Sequence, residues 1–336
     1  MPESTGLETG IYLLTPTHCG TGQVVGAVDL PIARERHTEH PILPATSLKG
    51  VLVDVRELDT WRGASGLSPE QLNTLFGPKP PGQDRAEGQT NDLYAGSLIV
   101  TDARLLAFPV RSLSSAYYRV TCPLVIDRWL RTRQALGLRD LAIHVDDVRN
   151  GVYGASAQLP KKLVIEDLVL PVHDATSPTL GRIAEHWAGL IPATAVERTQ
   201  FASRLLCVPD TIFADLVKRT TPVTARVQLT EKKTTDNGGN LWYEETLPAD
   251  CLFVVHFSTR PGKTEALTQV GALLKARSVF QVGGNETVGQ GLYWWTPQGE
   301  TSAPAHPSPT PKPGGPHQVP APAPSSNSKK GGHHGR

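Results

Sequence analysis

Apolar positions along this chain recur in two rhythms, and the switches between them lay out its elements. GIYLLTPTH, starting at Gly10, has the β-rich apolar character of a strand, which the glycines of CGTGQVVG break. After LPA, Leu48, Val51, Leu52, Val55 and Leu58 fall at helical spacing. They predict an amphipathic helix over Thr46–Leu58, with Thr46 or Ser47 as its N-cap. AGSLIVTDARLLAFPV, from Ala95 to Val110, predicts a strand or hairpin, and PLVIDRWLRTRQALGL a helix with Pro123 in its first turn. From Pro222 onward, Val223, Ala225, Val227 and Leu229 alternate with Thr224, Arg226, Gln228 and Thr230, then DNGGN precedes LWYEETL. This is the pattern of a long β-hairpin. CLFVVHFS reads as a buried strand, and Thr264–Arg277 as a helix with Leu267, Val270, Leu273 and Leu274 on one face. SVFQVGGNETVGQGLYWW reads as a Gly-rich turn before a last strand.

Strand, helix, strands, helix, strand is the order of a β-α-β-β-α-β unit. The expected fold is therefore α+β, with a ferredoxin-like (RRM-like) palm, an inserted helical and irregular region, and a hairpin thumb. Several RNA-binding modules use such a sheet. The expected divisions are 1–138, the first part of the palm; 139–220, the insertion; 221–248, the thumb; 249–297, the end of the palm with the Gly-rich loop; and 298–336, a tail. Rich in Pro and Gly and lacking aromatic residues, the tail has almost nothing to bury and is expected to be disordered.

Composition narrows the class. With 39% apolar residues, a chain of 336 builds a real core. No run approaches the roughly 20 apolar residues of a membrane span, and the N-terminus lacks a signal-peptide pattern, so no membrane partner and a cytoplasmic location are expected. Cys19, Cys122, Cys207 and Cys251 form no CxxC pair and read as buried, reduced thiols rather than a disulfide framework or zinc site. The net charge of +1 gives no global sign of a polyanionic partner, so any nucleic-acid surface must be local.

The candidate chemistry is concentrated in VDLPIARERHTEHPILPATSLKG, where Asp29 stands inside an apolar run. Asp29 fits a turn held by Pro31, or a functional carboxylate. Lys49 falls early in its helix, where the macrodipole disfavours a cation. Together with Ser47 and the free N–H groups of the first turn it could hold a phosphate, or it could simply be solvated. The hairpin carries Arg226, Lys232 and Lys233 on one arm and Trp242 and Tyr243 on the other, a mixture suited to gripping phosphates and stacking bases, although aromatics also pack on domain bodies. VGGNETVGQG groups Gly283, Gly284, Gly289 and Gly291 without GxGxxG or a Walker lysine, so ATP or NAD binding is poorly supported. The loop could pass against RNA or form a tight turn.

In this order TPTHCGTG, VDLPIARERHT, SLKG, VTCPLVIDRWLR, VTARVQL, KKTT, NLWYEETLP and GGNETVGQGL resemble the RAMP-superfamily backbone subunit of type III-B (Cmr) CRISPR effector complexes, from about Thr15 to Leu292. LPATS departs from the usual pattern at Ala45 and Thr46. The resemblance implies copies stacked head to tail along a guide crRNA with other subunits of the complex. Complementary single-stranded target RNA would be cut at regular intervals. It implies Asp29 as the residue most tied to cleavage, with His18 and Glu244 near it, and adds Arg34 and Asn285 to the expected RNA contacts. Cutting would leave 2′,3′-cyclic phosphate and 5′-OH ends. Asp29 would serve as base or as ligand of a divalent cation; Mg²⁺ or Mn²⁺ is expected, since the motifs offer oxygen ligands and no Cys/His cage. A non-catalytic crRNA-binding scaffold and a guide-processing endoribonuclease are the alternatives.

Overall fold

In the computed structural model, residues 6–55, 64–78, 94–156, 159–228 and 241–298 are described. Lys232, Lys233 and the Pro-rich tail lie outside them. In chain order the elements are β1 Gly6–Leu13, β2 Ile42–Leu43, α1 Ala45–Val55, α2 Pro69–Phe76, β3 Leu98–Val100, β4 Ala103–Arg111, β5 Tyr117–Thr121 and α3 Pro123–Ala135. Then come β6 Val152–Gly154, β7 Lys162–Ile165, β8 Leu168–Asp174, α4 Pro178–Ala188, α5 Ala195–Ser203, β9 Leu205–Cys207 and α6 Asp210–Arg219. The chain continues with β10 Val223–Val227, β11 Leu241–Glu245, β12 Leu252–Thr259, α7 Glu265–Ala276, β13 Val279–Gln281 and β14 Leu292–Gln298.

β1 and β12 are buried along almost their whole length, and each is paired with a strand on either side, so they form the centre of the sheet. The main sheet runs β13-β14-β1-β12-β4-β5-β9-β6-β8-β7, with β2 on β4 and β3 on β12; β10 and β11 form a separate two-stranded ribbon. The Ala95–Val110 segment is not a hairpin. β3 and β4 both pair with β12, at Leu98–Val100 and Arg104–Ala107, so they form one strand broken at Thr101 and Asp102. The 139–220 stretch extends the sheet through β6–β9 and lays α4 over it. One polar tie lies in this core. The buried Glu8 carboxylate of β1 accepts from Arg133 Nη1 (2.5 Å), Trp129 Nε1 (2.8 Å) and His186 Nε2 (2.8 Å), joining β1 to α3 and α4. Burial alone would raise the pKa of Glu8. His186, His256 and Arg133 overcome that and hold it well below the carboxylate range.

α1 starts at Ala45, one residue before the expected cap. Asp102, from the break between β3 and β4, accepts from the Ala45 N–H at 2.8 Å, so a distant carboxylate takes the capping role expected of Thr46 or Ser47. All four cysteines are free and buried, as their scatter implied. No helix among the described residues is long and apolar enough to cross a membrane.

Candidate active site

The connection from β1 to β2 is too irregular to form a long strand, yet part of it borrows one. At its centre Leu30 makes a parallel bridge to Glu244 of β11. The Leu30 N–H donates to Tyr243 O at 3.1 Å, and the Glu245 N–H returns to Leu30 O at 3.0 Å. The carboxylate of Asp29 extends this ladder by one rung, with Oδ2 accepting from the Tyr243 N–H at 2.7 Å. Asp29 therefore stands part-exposed at the root of the hairpin, fixed by the thumb's backbone as well as by its own turn.

The other end of the same connection reaches the chain just past that strand. Thr17 and Leu247 exchange backbone hydrogen bonds of 3.0 and 2.8 Å, which seats His18 beside Glu245. His18 Nδ1 lies 2.8 Å from Glu245 O; a carbonyl only accepts, so Nδ1 carries the proton and Nε2 is the atom left for chemistry. Glu244 is buried, with one oxygen 3.9 Å from His18 Nδ1 and the other 3.0 Å from Arg226 Nε, an ion pair without hydrogen-bond alignment. Asn285 Nδ2 donates to the same carboxylate from the Gly-rich turn. That turn is pressed onto His18: the Gly284 N–H donates to His18 O at 2.9 Å. A Cβ on Gly283, whose φ is +93°, would lie 2.5 Å from that oxygen. Gly20 is required on the other side of the ring, since a Cβ there would lie 2.3 Å from Nε2.

Residues 18, 29, 226, 244 and 285 thus converge from three distant segments. Trp242 and Arg226 are cross-strand partners on the inward face of the ribbon, where Trp242 is half-buried, so only one of the two aromatics is exposed as expected. Tyr243, at 42% exposure, stands on the outward face with exposed Val223, Val227 and Leu241. Gly289 and Gly291, both at φ +79°, return the turn towards β14, and the Gly291 N–H donates to Pro16 O at 3.0 Å. Ser47 and Lys49 stand apart from this cluster on α1. Ser47 bonds the Cys19 thiol, and Lys49 Nζ reaches Leu98 O at 3.4 Å. Burial, then the charge of Arg260, lowers the Lys49 ammonium from its ordinary value.

Arg34 is committed within the fold. Its guanidinium donates to Glu39 O (2.8 Å), Val217 O (3.0 Å), Thr221 Oγ1 (3.3 Å) and Glu245 Oε1 (2.5 Å). Its neighbour Glu35 accepts a fork from Arg128 of α3, 2.6 Å at each oxygen, and a bond from Thr38 at 2.7 Å. Burial would raise the Glu35 carboxyl, but Arg128, Thr38 and Arg104 pull it down to about 2. Glu245, Thr221 and Arg128 escaped the sequence reading. The one available signal was the doubled glutamate of LWYEE, since alternation must turn one of the pair away from the other.

Among the described residues no group of three His, Cys, Asp or Glu side chains stands close enough to hold a metal. Asp29 offers a single carboxylate. That fits an ion such as Mg²⁺, whose shell is completed by water and substrate phosphate rather than by a protein cage.

Sheet order and converging loops define the class of protein here. The RAMP superfamily pattern matches residues 11–294, and the chain belongs to that superfamily. Within it, the chain is similar to the CRISPR system Cmr endoribonuclease Cmr4 of Pyrococcus furiosus (strain ATCC 43587 / DSM 3638 / JCM 8422 / Vc1). The two are 32% identical over 287 residues, 84% of this chain and 92% of that protein. The crystal structure of oligomeric Cmr4 from Pyrococcus furiosus superposes with a TM-score of 0.66 at 28% identity, covering 87% of this chain and 97% of that one. A chain of the type III-B Cmr-beta complex, solved by cryo-EM bound to cognate target RNA, shares the fold at 19% identity. Its TM-score is 0.65, over 87% of this chain and 96% of that one.

Proposed function

We propose that this chain is the repeated backbone subunit of a type III-B CRISPR ribonucleoprotein and the endoribonuclease that cuts complementary target RNA within it. The observation that carries this reading is the meeting of Asp29, His18 and Glu244 on one end of β11, at the root of a hairpin with exposed Tyr243. The likeness to a Cmr endoribonuclease over most of both chains supports it. The order β14-β1-β12-β4 within the sheet supports a ferredoxin-like palm, with 139–220 as insertion and 221–248 as thumb. Copies of the chain stack head to tail along crRNA and join other subunits, an assembly supported by the oligomeric relative. The site of action is the cytoplasm.

The chemistry is a transesterification. The target's 2′-oxygen forms a bond to phosphorus as the bond from phosphorus to the 5′-oxygen breaks, leaving a 2′,3′-cyclic phosphate and a 5′-OH. Asp29 accepts the 2′-OH proton, and His18, held by its Nδ1–H, offers Nε2 as the atom that gives a proton to the departing oxygen. Glu244, locked between Arg226 and Asn285, sets a carboxylate oxygen 3.9 Å from His18 Nδ1 and so borders the imidazole on the side away from Nε2. Where a Mg²⁺ or Mn²⁺ binds, Asp29 would be its ligand in place of acting as the base, and the ion would supply charge stabilisation at the phosphate. Tyr243, Trp242 and Arg226 of the thumb splay the duplex so that the scissile nucleotide lies in line.

The test is cleavage of a guide-complementary RNA by the reconstituted complex carrying Asp29→Ala, with assembly followed by native mass spectrometry. Cutting is expected to vanish while assembly persists. Full cutting by that complex would leave this chain a crRNA-binding scaffold.

A further inference from the structure

The parallel bridge of the aspartate loop to β11 ends at Leu30. Beyond it Ile32 bridges to Gly20 and the Ala33 N–H donates to Cys19 O at 2.8 Å, but the Ile32 N–H itself turns back towards β11 and is received by a side chain. The side chain of Glu245 takes over: Oε2 accepts from the Ile32 N–H at 3.0 Å, while Oε1 accepts from Thr221 Oγ1 at 2.6 Å and from Arg34 Nη2 at 2.5 Å. The same residue touches the site twice more through its peptide, by its N–H to Leu30 O and by its carbonyl to His18 Nδ1. Glu245 is thus bonded to both segments that carry reacting groups, the one beginning at Asp29 and the one bearing His18.

We infer that Glu245, with Arg34 and Thr221, is a positioning clamp that sets where Asp29 and His18 stand for the cleavage step; this rests on the reading of Asp29 as the cleavage residue. Arg34 extends the clamp to the last turn of α6 through Val217 O, and Thr221 lies just before β10, so both arms of the thumb's base and the aspartate loop are bound to one carboxylate. Glu245 is buried, with 7% exposure, and all of the interactions described for its carboxylate are within the protein, so it acts through other groups rather than on RNA. A carboxylate accepts from all three donors at once. An amide of the same shape presents an NH₂ to one of them, leaving the Ile32 N–H or a clamp member unsatisfied. The loop then settles slightly away from its working place, and misplacement by about 1 Å is enough to slow a positioned reaction roughly a hundredfold.

The experiment uses the reconstituted complex with Glu245→Gln. Retention of crRNA and affinity for complementary target are expected to match wild type. The single-turnover rate at saturating target is expected to fall between roughly ten- and a hundredfold. An unchanged rate overturns the clamp, as does a loss of rate explained by lost assembly or lost target affinity, which would make the contact merely structural. If Glu245→Gln does not fold, Thr221 carries the test: Thr221→Ser keeps the hydroxyl donor and the rate, whereas Thr221→Val removes the donor and slows cutting; equal rates for the two overturn the proposal. Asp29→Ala is run beside them. Full cutting by that variant defeats the reading of Asp29 itself, whereas lost cutting there with an unchanged Glu245→Gln rate defeats the clamp alone.

Discussion

Replacing Glu35 by Gln isolates one charged tie between the site and the body of the fold. Glu35 closes the loop that begins at Asp29, and its side chain is 12% exposed beneath the Arg128 fork. Lowering its carboxyl from 4.5 to about 2 means that the ionised form gains about 3 kcal/mol on folding, at about 1.4 kcal/mol for each factor of ten in the dissociation constant. Because the folded value is the lower one, this stability is fully present above pH 4.5 and is lost as pH falls towards 2. Urea unfolding of wild type and Glu35→Gln should show the full difference, about 2–3 kcal/mol, between pH 8 and 5, and a decrease of about 1 kcal/mol by pH 4. A difference between the two proteins that stays constant from pH 7 to 3.5, or grows as the solution is acidified, would refute the argument, because a neutral contact has no reason to weaken in that window.

Two other consequences concern the reacting groups. Gly283→Ala forces a Cβ into a left-handed backbone position and against the His18 carbonyl. A loss of about 1–2 kcal/mol, or about 2–4 °C in melting temperature per kcal/mol, is expected by calorimetry together with slower cutting; an unchanged melting temperature would show that the turn is free to move. Chelation with excess EDTA should stop cleavage and added Mg²⁺ or Mn²⁺ restore it; undiminished cutting under chelation would remove the metal from the mechanism.

Much of this arrangement could be read along the chain. The periods of apolar residues placed α1, α3, α7, β12 and the hairpin within a few residues, because each pattern is set by neighbours three, four or two positions apart. The break in β3–β4 was not legible. Nothing local says that Thr101 and Asp102 interrupt one strand instead of turning a hairpin, and Asp102 is used to cap a helix that lies 57 positions away. The ribbon shows the same limit. Alternation divided its residues correctly into two faces, but the apolar face of Val223, Val227 and Leu241 is the exposed one, while Arg226 and Glu244 turn inward.

The sequence alone determined the placement of α1, α3, α7, β12 and the hairpin, the family, and Asp29, His18 and Glu244 as candidates, since these depend on residue types in fixed local motifs. Tertiary structure decided their relation: which glutamate of the pair faces His18 and which holds the loop, that Arg34 braces the fold, and that the Gly-rich turn closes over the imidazole. A carboxylate's partners are chosen by proximity in space, and the groups around Glu244 and Glu245 come from residues 18, 32, 34, 221, 226 and 285, a convergence that no local spacing encodes.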